Sequence, residues 1–291
     1  MTAVELLDRC DFPATGTSLP LAVSGGADSL AMALLAREAG HDVVIWHVDH
    51  GLRSEAAGDA DFVEKFASDL GVGFELRRVE IESGGDLEAR AREARYAALP
   101  TDVCVGHTAD DRAETVLLNM FRGAGLAGVA ARMKRVRRPI LRLRRHETEA
   151  VCSAAGVTPC VDAMNHDPAF RRVGVRSRLL PAIAAEFDRD PVPLLNRHAD
   201  LVADALVVIE REAATIDPTD TAALRAAPAA VAAEALRAWI AATVGSSAGI
   251  DRAAIDRALL VVDGTHVATE LPGGHRLART AGVIRIEVVA P

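Results

Sequence analysis

The chain has 291 residues, half of them hydrophobic but only 3% aromatic, so alanine, leucine and valine must fill its core. A net charge of −8 excludes a protein that coats nucleic acid indiscriminately, while leaving room for a local basic surface. The four cysteines, at 10, 104, 152 and 160, form no Cys-x-x-Cys pair, and no apolar run approaches a membrane span or a secretory leader. A cytoplasmic chain of two ordinary-sized domains is expected.

The first strong element is the apolar run Leu19-Pro20-Leu21-Ala22-Val23, read as a strand. It empties into Ser24-Gly25-Gly26-Ala27-Asp28-Ser29, after which Leu30, Ala31, Met32, Leu34 and Leu35 mark a helix beginning near Asp28. A glycine loop at a helix N-terminus aims unpartnered N–H groups and the positive end of the helix dipole at an anion. Gly25 and Gly26 carry no Cβ, so a phosphate can come close to the main chain, and Ser24 and Ser29 add hydroxyl donors. The plainer alternative is a turn in which serine and aspartate only cap the helix. The strand, the two serines and the aspartate together favour phosphate. The run resembles the pyrophosphate loop of PP-loop ATPases, which cleave ATP between the α and β phosphates. There is no Gly-x-x-x-x-Gly-Lys-Ser/Thr, and no Gly-x-Gly-x-x-Gly follows the first strand.

A second strand, Asp42 to Val48, ends in the polar cluster His47-Val48-Asp49-His50-Gly51-Leu52-Arg53, at the strand edge where α/β sheets hold ligands. Helix (55–70), strand (74–79), helix (86–99, with Arg90, Arg92, Arg95 and Tyr96) and strand (102–106) follow. This alternation predicts a doubly wound parallel α/β sheet. The next helix opens with Gly106-His107-Thr108-Ala109-Asp110-Asp111-Arg112-Ala113-Glu114-Thr115. Thr108 and Asp111 have the outline of a capping box, which leaves His107, Asp110 and Glu114 unexplained. Asp111 and Glu114 share a face. Two acids beside a phosphate site are costly unless they meet a cation, either a magnesium ion or a substrate ammonium.

Residues 132–145 hold eight basic residues and no acid: Arg132, Lys134, Arg135, Arg137, Arg138, Arg142, Arg144 and Arg145. A second cluster, Arg171, Arg172, Arg176 and Arg178, is spaced along a predicted helix. Either could be a solvated face, but in an acidic chain the concentration points to a polyanion, and to RNA over a small acidic metabolite. The pattern breaks at Asp188-Arg189-Asp190-Pro191-Val192-Pro193. The expected domains are 1–188, catalytic; 189–216, a helical connector; and 217–291, a small α+β domain with helices over 228–244 and 251–262 and strands around Pro272-Gly273-Gly274.

These motifs together resemble one family, the bacterial tRNA(Ile)-lysidine synthetases. The resemblance is carried by Ser24–Ser29, His47–Arg53, Ala91-Arg92-Glu93-Ala94-Arg95-Tyr96 and Gly106–Thr115. It continues through Arg122-Gly123-x-Gly125-Leu126, Arg138-Pro139-Ile140-Leu141, Asp162-x-x-Asn165, Leu179-Leu180-Pro181, Leu236-Arg-x-Trp239 and Leu271-Pro-Gly-Gly274, in the short form of the family. It implies a PP-loop (adenine nucleotide α-hydrolase-like) fold and ATP-dependent attachment of free L-lysine to C2 of the wobble cytidine in the CAU-anticodon isoleucine tRNA. The cytidine would be adenylated, with release of pyrophosphate and then AMP, changing codon specificity from AUG to AUA.

The resemblance also assigns roles. Ser24, Gly25, Gly26, Ala27, Asp28, Ser29, His50 and Gly106 would bind ATP, with Asp28 helping to place Mg2+. His107, Asp111 and Glu114 would bind lysine. Asp28, Arg95, Asp111 and Glu114 would be catalytic, the base for the lysine amine being either Asp111 or Glu114. Arg135, Arg137, Arg138, Arg142, Arg145, Arg172 and Arg176 would contact tRNA. A homodimer is admitted but not required. Departures from the family pattern fall at Arg112 (for glutamine), at Asp162-Ala163-Met164-Asn165 (for Asp-x-Ser-Asn) and at Val173 (for asparagine). Two alternatives are a 2-thiolating PP-loop tRNA enzyme, against which the cysteine spacing counts, and an ATP-binding RNA module without turnover.

Overall fold

The computed structural model describes residues 3–16, 18–49, 56–79, 94–133, 136–160, 171–245 and 249–289. His50, Arg135, Asp162, Asn165 and most of the predicted helix 86–99 lie outside them. The chain forms two compact units, Met1–Thr115 with Met133–Asn196, and Val116–Arg132 with Arg197–Pro291.

The first unit is built on α1 (Ala3–Leu7), β1 (Leu19–Ala22), α2 (Ala27–Glu38), β2 (Val43–Asp49), α3 (Ala56–Leu70), β3 (Gly73–Arg78) and β4 (Cys104–Val105). All strand pairs are parallel, in the order β3-β2-β1-β4. Along β2, Val43, Ile45 and His47 are buried on one face. That face packs with Leu21, Leu30, Met32, Leu35 and Phe66 in the main core. Trp46 and Val48 point the other way and pack against Leu99, Val103 and Val105. With both faces covered, the sheet is doubly wound, as its apolar strands require. The strand order turns back between β1 and β4, so the loops after these two strands meet at the crevice where such sheets bind ligands. β4 is shorter than predicted, but Arg137 adds a parallel bridge to Cys104, and its backbone bonds Val103 and Val105 (3.0 and 2.9 Å).

The loop after β4 enters α4 (Ala109–Phe121) and the short α5 (Leu126–Val129). Next come α6 (Arg145–Ala154), α7 (Arg171–Gly174), one wide π turn (Val175–Leu179) and α8 (Leu180–Phe187). α9 (Pro191–Ala213) opens on Pro191-Val192-Pro193, where the prolines sit in a first turn that needs no donor N–H. The second unit then adds α10 (Thr221–Ala226), α11 (Ala229–Val244), α12 (Arg252–Asp263) and the antiparallel sheet β5 (Ala268–Leu271), β6 (His275–Thr280) and β7 (Val283–Val288). Its core is Leu224, Leu236, Ile240, Val261, Leu277 and Ile284. Asp220 and Asp251 cap α10 and α12, and Gly273 and Gly274 turn β5 into β6 with positive φ. Among the described residues, no helix is long and apolar enough to cross a membrane.

Candidate functional site

At the end of β1, Ser24 N–H donates to Ser29 Oγ (3.1 Å), and Ser29 Oγ donates to the Gly26 carbonyl (2.9 Å). Gly25 has φ +89°, a conformation that costs glycine nothing. Its carbonyl accepts from Cys160 N–H (3.0 Å). Gly26 is the N-cap of α2 and receives no side-chain cap. The capping alternative therefore does not describe this turn: the serines brace the loop, and Asp28 faces elsewhere. The start of α2 keeps the open geometry of an anion site. The loop is pressed from the other side by β4. A Cβ on Gly106 would lie 2.8 Å from Ser29 Cα and 2.9 Å from the Asp28 carbonyl, so only glycine lets the two strand ends meet.

Asp28 accepts a hydrogen bond from Thr148 Oγ1 on α6, and Arg145 Nε lies 3.7 Å from its other oxygen. Burial pushes its carboxyl up to about 6, further raised by Asp111 and held back by Thr148, Arg145 and Arg176. A carboxylate so poorly solvated is one whose ionised form calls for a cation. One such carboxylate beside a phosphate site is how proteins usually hold Mg2+, the other ligands being phosphate and water. The residues present therefore fit the ion. Among the described residues there is no larger metal-ligating cluster of histidine, cysteine and acids.

In the first turn of α4 the cap is formed, and the acids also meet arginines of the same chain. Asp111 Oδ2 accepts from Thr108 N–H (2.9 Å) and Thr108 Oγ1 (3.1 Å), which is the cap. Its Oδ1 instead faces Arg145 (3.2 Å), Arg172 (3.3 Å) and Arg176 (4.0 Å). Glu114, with no exposed surface, is held through Oε1 by Arg176 Nε (2.7 Å) and Arg145 (3.4 Å). Its Oε2 is held by Arg172 Nε (2.7 Å) and Arg176 Nη2 (3.3 Å). Burial would raise Asp111, but Arg172, Arg145, His107 and the Thr108 amide together hold it below the ordinary range. His107 is thus within electrostatic reach of Asp111. Asp110 forms a two-pronged pair with Arg144 (3.0 Å at both contacts), which also bonds Asp190. A cleft of about 200 Å³ opens beside these groups, lined by Asp110, Glu114, Arg145, Arg176, Leu180 and Val192 among others.

The remaining expected residues fall as follows. Arg145, Arg172 and Arg176, read from the sequence as tRNA contacts, converge on the two acids. Arg95 is exposed on the helical turn at 94–97. Arg137 and Arg142 are exposed, and Arg138 is half-buried, its ionisation weakened by burial and by neighbouring Arg112. His47 is buried, its Nδ1 2.8 Å from the Val23 carbonyl, so it supports the β1–β2 end and is not a ligand-facing group. Sequence reasoning missed Thr148, and it put Arg144 in the basic run and Asp190 at the domain boundary without pairing them with Asp110. Thr148 had one signal, its place just after the basic run, and nothing there singled it out.

A glycine loop at the switch point of a parallel sheet, backed by a desolvated aspartate, defines a nucleotide-binding protein of the PP-loop class, and the PP-loop domain family matches residues 4–183. A tRNA(Ile)-lysidine synthase of Salinispora tropica is 36% identical over 93% of this chain and 90% of its own length. One of Nocardia farcinica is 35% identical over 90% and 86%. The chain belongs to the tRNA(Ile)-lysidine synthase family. In solved structures it is similar in fold to the U34-tRNA thiolase of Methanococcus maripaludis, with a TM-score of 0.55 and 15% identity over 69% of this chain and 78% of that one.

Proposed function

We propose that the protein is a ligase that uses ATP to join free lysine to C2 of the wobble cytidine of the CAU-anticodon isoleucine tRNA, in the cytoplasm. The observation that carries this reading is the juxtaposition of the open loop Ser24–Ser29 with the acid pair Asp111 and Glu114, bridged by Arg145 and Asp28. In the first step, the C2 oxygen of the cytidine attacks the α-phosphorus of ATP and the bond to pyrophosphate breaks. The loop amides and the Ser24 and Ser29 hydroxyls receive the charge of the leaving group. Mg2+, placed by Asp28, would neutralise charge on the phosphates. In the second step the lysine ε-amine attacks C2, AMP leaves with the former C2 oxygen, and the amine loses a proton.

That amine must be neutral to attack, whereas a free lysine amine has a pKa of about 10.4. In this reading Asp111 and Glu114 would hold it, and one of the two would accept its proton. Sulfur transfer is the weaker reading. Burial pushes the thiols of Cys10, Cys104 and Cys152 up to about 11, so almost no thiolate exists at neutral pH. The test is incubation with ATP, Mg2+, labelled lysine and bacterial tRNA, followed by nucleoside analysis. Label in a cytidine-derived nucleoside is the expected result. Pyrophosphate release without label would leave adenylation standing and overturn lysine as the second substrate.

A further inference from the structure

The acid pair that would receive an ammonium group is already saturated by the protein itself. Three guanidinium groups cover two carboxylates and already occupy Asp111 Oδ1 and both oxygens of Glu114, so a cation cannot simply be added there. It must take the place of an arginine. Asp111 keeps its two bonds from Thr108 whatever the arginines do, so it would stay in position. The side-chain partners of Glu114 among the described residues are arginines alone, and it has no exposed surface. Once uncovered, its charge demands another cation.

The arginines also have somewhere to go. Arg145 is already shared between the acids and Asp28 at the start of α2, so a polyanion on the loop competes for it directly. Arg145 and Arg176 border the 200 Å³ cleft. Arg172 and Arg176 are four residues apart, and the second lies in the π turn, a form of helix found mostly where function requires it.

Resting on the reading of this site as one for ATP and lysine, we propose that Arg145, Arg172 and Arg176 gate the acid pair. They close it to ammonium in the free protein and uncover it when the triphosphate on the Ser24–Ser29 loop takes up their charge. ATP and lysine then bind with positive coupling, and the coupling is reciprocal: each ligand tightens the other by the same factor. The gate also keeps lysine, or any stray amine, out of the site until ATP is bound.

Calorimetric titration of L-lysine into the full chain, with and without Mg2+ and a non-hydrolysable α,β-methylene analogue of ATP, tests this. We expect lysine to bind at least tenfold more tightly with the analogue present, and the analogue at least tenfold more tightly with lysine present. The double substitution Arg172→Gln with Arg176→Gln should bind lysine without the analogue about as tightly as the unaltered chain does with it. Should that variant fail to fold, Arg176→Lys, which cannot fork both acids, should still reduce the coupling factor. Equal lysine affinity with and without the analogue in the unaltered chain would overturn the gate and leave the arginines as structural partners of the acids. No lysine binding in any condition, with tRNA-dependent pyrophosphate release intact, would instead overturn the lysine assignment itself.

Discussion

Asp28→Asn separates the function of this side chain from its cost. In the unfolded chain an aspartate ionises near its ordinary value of 3.8, whereas inside the fold Asp28 does so at about 6, with burial as the main cause. Below pH 3.8 both states hold the proton and Asp28 contributes nothing to pH dependence. As pH rises through the interval from 3.8 to about 6, the folded state keeps a proton the unfolded state has lost, and stability falls. Above pH 6 the full cost, about 3 kcal/mol, is present. Asparagine has the same shape, still accepts from Thr148, and cannot ionise. We expect urea denaturation at pH 7.5 to show the Asp28→Asn protein more stable by about 1–3 kcal/mol, with the gain shrinking to near zero by pH 4. Pyrophosphate release from ATP should be lost in the same preparation. A stability difference that does not change between pH 4 and pH 8 would refute the account of a desolvated carboxylate. Retained pyrophosphate release would refute its role at the phosphates.

Gly106→Ala should lower stability by about 2 kcal/mol and weaken ATP-analogue binding in calorimetry, because its Cβ meets backbone at 2.8 Å and no flexible side chain can give way. Glu114→Gln removes one of two negative charges facing three arginines, and denaturation should show a loss of about 3 kcal/mol. Glu147 is held below its ordinary 4.5, since the bonds from Arg9 and the Arg144 amide outweigh its burial. Glu147→Gln should therefore cost stability above pH 4.5 and progressively less in acid, as urea midpoints across pH will show. Neutralising Arg137, Arg138 and Arg142 together should weaken tRNA binding and flatten the slope of log affinity against log salt by about 2, measured by filter binding. An unchanged slope would make the run a solvated face.

The loop was legible because its signals are local: strand, two glycines, two serines and helix fall within a dozen residues, and the handedness of the chain leaves few ways to arrange them. The parallel sheet was legible for the same reason, through apolar runs too continuous for a one-sided strand. The electrostatics of the site were not. Thr148 lies 120 residues from Asp28 in the chain, and no spacing rule reaches that far. Arg145, Arg172 and Arg176 were read as tRNA contacts within basic runs, yet α6, α7 and the π turn bring them onto the first turn of α4. The capping box is formed by one oxygen of Asp111, while the other meets arginines that no local spacing rule brings to it.

The bridge from Arg137 to the two-residue strand β4 carries a consequence for folding hygiene. An edge strand with free N–H and C=O groups is a template on which another chain can add itself, and aggregation begins there. Here the vacant edge is closed by the backbone of a residue whose side chain is exposed and cationic, in a stretch crowded with like charges. A second molecule approaching that edge finds its hydrogen bonds taken and its own positive run repelled. The same residues that would attract a polyanion to this surface would also repel a copy of the chain.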